Sequence, residues 1–164
     1  MGISISPVMV TVAALLVAST SAVVAKAWRR NDTSPTAYEV LEEYGFPVGL
    51  LPKGVQSYDL HPSTRKFSVR LGETCSFSLQ DSYDIKYRST ITGRISDKRL
   101  YDLNGISVKV LFFWFNIVEV SVAGDVVYFS VGIASASFPA SNFEECPQCG
   151  CGMDCISVAA ASAA

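Results

Sequence analysis

Between Gln56 and Pro139 apolar and polar residues alternate in short runs broken by turn-forming residues, the two-residue period of strands with one buried face. Gln56, Tyr58 and Leu60 lead into a His61-Pro62-Ser63 turn. Phe67, Val69 and Leu71 alternate next, and Gly72-Glu73-Thr74 turns the chain into Cys75, Phe77 and Leu79. The longest regular pattern is Ile85–Ser96. Ile85, Tyr87, Ile91 and Ile95 fall on one face and Lys86, Arg88, Thr90, Thr92 and Arg94 on the other, with Gly93 marking a bulge or a close backbone approach on the inner side. Asn104-Gly105 is the strongest hairpin signal, because a type I′ turn requires positive φ at both central residues. It is expected to join a strand Arg99–Leu103 to one that starts at Ile106. That next segment, Ile106–Val122, is apolar on both faces through Leu111, Phe113, Phe115 and Ile117, and it exceeds the usual strand length of roughly 3–10 residues, so a bend or bulge is expected within it. Ala123-Gly124-Asp125 turns into Val126–Val131.

Ahead of the strands the period changes. Ala37, Val40, Leu41 and Tyr44 make one apolar helical face with Glu39, Glu42 and Glu43 opposite. Ser34 is a candidate cap, Pro35 suits the first helical position, and Gly45 suits the terminating one. The loop Phe46–Gly54 (FPVGLLPKG) follows, placed either beneath the end of the helix or against a membrane. Strand after strand with hairpin turns and a single helix implies an all-β fold, a mainly antiparallel β-sandwich or barrel with one short N-terminal amphipathic helix.

The N-terminus has another character. From Pro7 to Ala25 the chain is almost wholly apolar or small, with no charge before Lys26. This length fits a cleavable signal peptide, or a retained helix spanning residues 7–25 with Lys26, Arg29 and Arg30 on its cytosolic side. The mild Ala/Ser/Thr/Val composition and the Asn31-Asp32-Thr33 sequon, which makes Asn31 a glycosylation candidate, point to the secretory route. The expected organisation is a signal peptide over 1–27, a linker over 28–36, a β-rich domain over 37–140, and a Cys-rich loop with a disordered Ala-rich tail over 141–164. Length (164 residues), 49% apolar and 17% charged residues fit one folded domain. A net charge of −2 argues against nucleic acid as a partner.

Candidate chemistry is sparse. The single histidine, His61, sits in a turn signal with no nucleophile or orienting partner beside it in sequence, and no catalytic or nucleotide-binding motif occurs. No catalytic residue, metal site or cofactor is therefore assigned. The pairs Glu42/Glu43 and Glu144/Glu145 are adjacent, so a regular element would point their members apart. Cys146, Cys149, Cys151 and Cys155 are disulfide candidates in an oxidising compartment, with three possible pairings, and zinc is the alternative. Cys75, alternating inward, is expected to be an unpaired buried residue. Leu111, Phe113, Trp114, Phe115 and Ile117 could line an apolar ligand cavity or simply fill a core. Lys86, Arg88 and Arg94 could meet an anionic group, or form an ordinary solvated face.

The segments YEVLEEYGFPVGLLPKGV (Tyr38–Val55), IKYRSTITGRIS (Ile85–Ser96), RLYDLNGISVKVLFFWFNIVEV (Arg99–Val120) and VYFSVGIASASFP (Val127–Pro139) resemble the plant family called domain of unknown function 538. The resemblance spans roughly Ala37 to Cys146. It implies a compact β-sandwich or barrel of about ten strands, usually behind a signal peptide. That family has been likened to bactericidal/permeability-increasing lipid-binding proteins and associated with chlorophyll binding or hydrolysis. It brings no catalytic pattern that maps onto these residues, and the Cys-dense end lies outside what it supports. The expectation is a secreted binding module for a lipid or other apolar molecule, with a membrane surface as a further partner. The alternatives are a structural or protein-interaction domain of the cell exterior, or an ester hydrolase acting on a pigment or lipid.

Overall fold

The helix opens where a side chain can satisfy the free amides of its first turn. In the computed structural model, which describes residues 34–79 and 83–152, α1 spans Ala37–Glu43. Its N-cap is Thr36, two residues beyond the expected Ser34. The Thr36 hydroxyl accepts from the Glu39 amide (3.2 Å) and the Glu39 carboxylate accepts from the Thr36 amide (2.6 Å). This reciprocal capping box satisfies two otherwise orphaned donors, which a Ser34 cap would not do. At the other end Gly45 takes φ +80°. The Phe46 amide donates to the Leu41 carbonyl and the Gly45 amide to the Glu42 carbonyl, both at 2.9 Å, as a left-handed glycine terminus requires. The loop that follows is packed rather than presented. Phe46, Leu50, Leu51 and Pro52 are buried, and the segment includes a 3-10 turn, Val48–Leu50.

Among the described residues nine strands follow: β1 (Val55–His61), β2 (Lys66–Leu71), β3 (Cys75–Leu79), β4 (Tyr83–Ser96), β5 (Arg99–Val110), β6 (Phe113–Asn116), β7 (Glu119–Ala123), β8 (Val126–Ser130) and β9 (Ser135–Pro139). All pair antiparallel in one sheet of order β1-β2-β4-β5-β7-β8-β9; β3 continues the β2 position along β4, and β6 continues the β7 position along β5. The fold is thus mainly antiparallel β, as expected. The sheet is not closed, β1 and β9 being its outer strands.

The His61–Ser63 and Ala123–Asp125 signals do reverse the chain, but two other turns fall elsewhere than the sequence suggests. Asn104-Gly105 is not a hairpin but lies inside β5. The ladder between β4 and β5 shifts around Thr92↔Asn104, with Asp102 at φ +52° and Gly105 at φ +100°. The positive φ that the Asn-Gly pair favours is used in a bulge, which bends β5 without reversing it. Reversal comes earlier, at Asp97-Lys98, and again at Leu111-Phe112, in the middle of the expected Ile106–Val122 strand. That stretch therefore comprises the end of β5, Ile106–Val110, and two further strands, β6 and β7, joined through Ile117 and Val118. Their backbone stays attached to β5 by Ile117 N–H to Ile106 O and Leu103 N–H to Val118 O, each 3.0 Å.

The packed body extends past residue 140. A 3-10 turn Ala140–Phe143 buries Phe143, Pro147 is fully buried, and Gln148 and Gly152 pair in a tight loop. This loop docks on β3 through the Gly150 amide to the Ser76 carbonyl (2.8 Å) and through a disulfide from Cys149 to Cys75. Cys75 is therefore not the odd thiol. Its inward position next to the docked loop supplies the partner, and among the described residues Cys146 is free. Cys151 is disulfide-bonded as well. Asn31, the 7–25 segment, Cys155 and the Ala-rich tail lie outside the described residues, among which no helix is long and apolar enough to cross a membrane.

Candidate functional site: an apolar cavity within the curled sheet

The inward residues of the strands do not meet in the middle. Alternation along β4 and β5 directs Ile85, Tyr87, Ile91, Ile95, Leu100, Leu103 and Ile106 to one side, and all are buried. The sheet curls far enough that Tyr83 at the start of β4 touches Phe138 on β9, ring centroids 5.7 Å apart and edge-on. Phe138 touches Phe129 (5.9 Å), which touches Phe143 (5.4 Å). Enclosed by these walls and by Ala37, Val40 and Leu41 of α1 is a cavity of about 480 Å³. Its size lies in the range of small-molecule sites.

The chemistry of the lining is uniform. No charged side chain borders the cavity, and no polar or charged residue is buried among the described residues. The deepest hydroxyl, that of Tyr87, donates to the Leu50 carbonyl at 3.0 Å and is already committed. Burial pushes the Tyr87 phenol well above its ordinary value, so it stays neutral. The polar side chains Ser78, Ser135 and Asn142 do border the cavity, but they are exposed. Other exposed lining residues, Val110, Ala134 and Ala136, fall with Ser78 and Ser135 at one end of the sheet, whereas Asn142 follows Ala140, whose amide donates to the Asp125 carbonyl. That end of the sheet is the mouth: an apolar interior opens through a rim that carries the Ser78 and Ser135 hydroxyls.

The expected ligand-contact residues divide. Ile117 is buried and lines the cavity, while Phe115 is half-buried and Leu111, Phe113 and Trp114 are exposed; none of these last four lines it. The physical reason is the turn at Leu111-Phe112, which carries these residues past the end of the enclosing wall. Residues that the alternation marks simply as inward, including Ile85, Ile91, Val108, Phe129 and Phe138, form the lining instead. A two-residue period identifies the inner face but does not reveal whether that face is filled or hollow.

The basic residues do not form one cluster. Lys86, Arg88 and Arg94 share the outer face of β4, but Arg94 lies about 26 Å along the strand from Lys86. Arg94 is ion-paired with Asp102 at 3.4 Å. Lys86 sits near the mouth, its ammonium 5.9 Å from the centre of the Trp114 ring, and Arg88 is exposed. Nearby, Asp84 accepts from the Ser78 hydroxyl (2.6 Å) and from Lys109 (3.3 Å), which together hold its carboxyl below the usual range. His61 is exposed at the end of β1 and does not border the cavity. Glu42, Glu43, Glu144 and Glu145 are exposed. Cys146 is half-buried, its thiol donating to the Val48 carbonyl at 3.5 Å, and desolvation pushes its pKa up. Among the described residues no three His, Cys, Asp or Glu side chains gather as a metal ion would need.

Residues 37–144 match the family model described as "Protein of unknown function, DUF538". An uncharacterized protein of Arabidopsis thaliana is 32% identical over 95 residues, a match that covers 58% of this chain and 55% of that relative. The chain thus spans about half the length of the curated relative it matches.

Proposed function

We propose that this chain, which belongs to the DUF538 family, is a binding module that holds a lipid or other apolar molecule inside its curled sheet. The observation that carries the reading is the cavity of about 480 Å³ whose lining has no charged side chain and no buried side-chain N or O left unpaired among the described residues. A polar guest would lose its hydration there without replacement, whereas an apolar one gains roughly 25 cal/mol for each Å² removed from water. An amphipathic guest would keep its polar end at the mouth, beside Ser78 and Ser135. Among the described residues no acid–base pair lies along the lining, which favours binding over turnover.

Secretion is part of the same reading. The disulfide Cys75–Cys149 and the disulfide-bonded Cys151 support an oxidising compartment, in keeping with the apolar leader and the Asn31 sequon. A retained anchor through residues 7–25 would place the same domain on a membrane.

The test is displacement of an apolar fluorophore. The full chain should bind a fluorescent fatty acid in saturable fashion, and Val108→Trp, which puts an indole into the lining, should weaken binding about tenfold or more at unchanged thermal stability. Failure of the wild-type chain both to take up the probe and to carry a co-purified apolar molecule would refute the reading.

A further inference from the structure

Among the described residues, the turns at the two ends of the sheet differ in the apolar side chains they expose. The turns His61–Lys66, Asp97-Lys98 and Gly124-Asp125 lie at one end, as the pairs Lys66↔Arg94, Ser96↔Arg99 and Ala123↔Val126 place them. These are polar or glycine turns. At the mouth end the tight turn is Leu111-Phe112, with Leu111 at φ +57°, a left-handed conformation that usually favours Gly or Asn. Leu111 is 83% exposed and Phe112 87%, and Phe113 directly after them is also exposed. The loop between β8 and β9 places Ile133, 88% exposed, beside Val131 and Ala134 on the rim of the same cavity. Large apolar side chains thus project from two separate loops at the end where the cavity opens.

We propose that this end docks on an anionic lipid bilayer, with Leu111, Phe112 and Ile133 entering the interface and Trp114 and Lys86 lying at headgroup depth. Solvated turns gain nothing from two adjacent large apolar residues, whereas insertion removes their area from water. Behind the tip the chemistry changes as a bilayer interface does. Trp114 lies across from Lys109 in the β5–β6 ladder, and the Lys86 ammonium is close to its ring. Tryptophan settles at the headgroup level, and cations there meet anionic phosphates. Asp84, two residues before Lys86 on β4, is neutralised by Lys109. Lys86 and Arg88 take part in no ion pair among the described residues. The cavity mouth would then face the acyl chains, giving an apolar guest a path that avoids water. The docking rests on the exposed tips and does not require a loaded cavity.

The test uses the full chain carrying Trp28→Phe, so that Trp114 is the sole tryptophan. With phosphatidylcholine–phosphatidylserine vesicles, Trp114 emission should shift to the blue and be quenched by brominated acyl chains. Leu111→Asp combined with Phe112→Asp should reduce this partitioning about tenfold or more. Ile133→Asp, on the other loop, should weaken it independently and serves if the double variant does not fold. Phosphatidylcholine alone should give a weaker response, and an equal response would overturn the role of charge. Unchanged Trp114 emission with vesicles, or a full response in both Asp variants, overturns the proposal. So does lipid-free sedimentation showing a dimer that the Asp variants dissociate, since a second copy would then cover the tip. Uptake of the fluorescent fatty acid from solution by the same variants reports on the cavity separately, so the two readings fail independently.

Discussion

Cys149 reaches back across 74 residues of sequence to bond Cys75, whose side chain is buried in the sheet, with Cα atoms 5.1 Å apart. Cross-linking so long a loop restricts the unfolded chain. Cys149→Ser, which leaves the core intact because Cys149 is exposed, should lower unfolding free energy by about 2–4 kcal/mol in a denaturant titration. Cys146→Ser should cost less than about 1 kcal/mol, since it removes one weak thiol contact. With its pKa raised by desolvation, Cys146 should react slowly with iodoacetamide at neutral pH in the folded protein and rapidly after unfolding.

The Tyr87 hydroxyl anchors β4 to the loop beneath the helix through the Leu50 carbonyl. Tyr87→Phe keeps the ring stacked on Phe77 but leaves that carbonyl without its partner. A loss of about 1–2 kcal/mol is expected in equilibrium unfolding. A guest held in the cavity should offset part of it by favouring the native state.

Gly105 should be intolerant of any side chain. A Cβ there would lie 2.5 Å from the Thr90 carbonyl oxygen and 3.1 Å from the Ile91 Cα, on a backbone at φ +100°. Gly105→Ala should destabilise by about 2–3 kcal/mol. Gly124→Ala, in an open turn with nothing within 4 Å, should cost distinctly less, although its φ of +57° still carries some strain. Comparing the two by thermal denaturation separates the close approach from the backbone preference.

Stability should fall at both extremes of pH. Asp84, held down by Ser78 and Lys109, Glu119, held down by Arg99, and Glu39, held down by the helix cap, all have carboxyls lowered in the folded state. Their contribution is present above the unfolded carboxylate range of about 4 and is lost as pH falls through the lower folded values. Tyr87 has the opposite sign. Its phenol is raised by burial, so above about pH 10 the unfolded state releases a proton that the folded state retains, and stability declines as pH rises. Asp84→Asn should flatten the acid limb and Tyr87→Phe the alkaline limb of a stability–pH curve.

Alternation alone sufficed for the inner face. Ile85, Tyr87, Ile91 and Ile95 are buried in the fold as their spacing demands, and Gly45 ends α1 because a left-handed residue is needed there. These properties are local: the period of a strand and the φ of a terminating residue follow from the residues themselves. The turns were less legible. Asn104-Gly105 and Leu111-Phe112 exchange their expected roles, because a positive-φ pair suits a bulge as well as a hairpin, and only the neighbouring strands select between them.

The candidate site was settled by distance in three dimensions. Whether inward residues fill a core or surround a space depends on how tightly the sheet curls, a sum of twist and bulges over all nine strands. The same curl brought Cys75 beneath the loop that carries Cys149 and left Leu111, Phe113 and Trp114 beyond the wall they were expected to line. Sequence thus determined which side chains face inward and where the helix stops, since both are set by neighbours along the chain. Tertiary structure decided which cysteines meet, where the cavity opens and which aromatic groups stand outside it, since each depends on residues far apart in sequence approaching within a few ångströms.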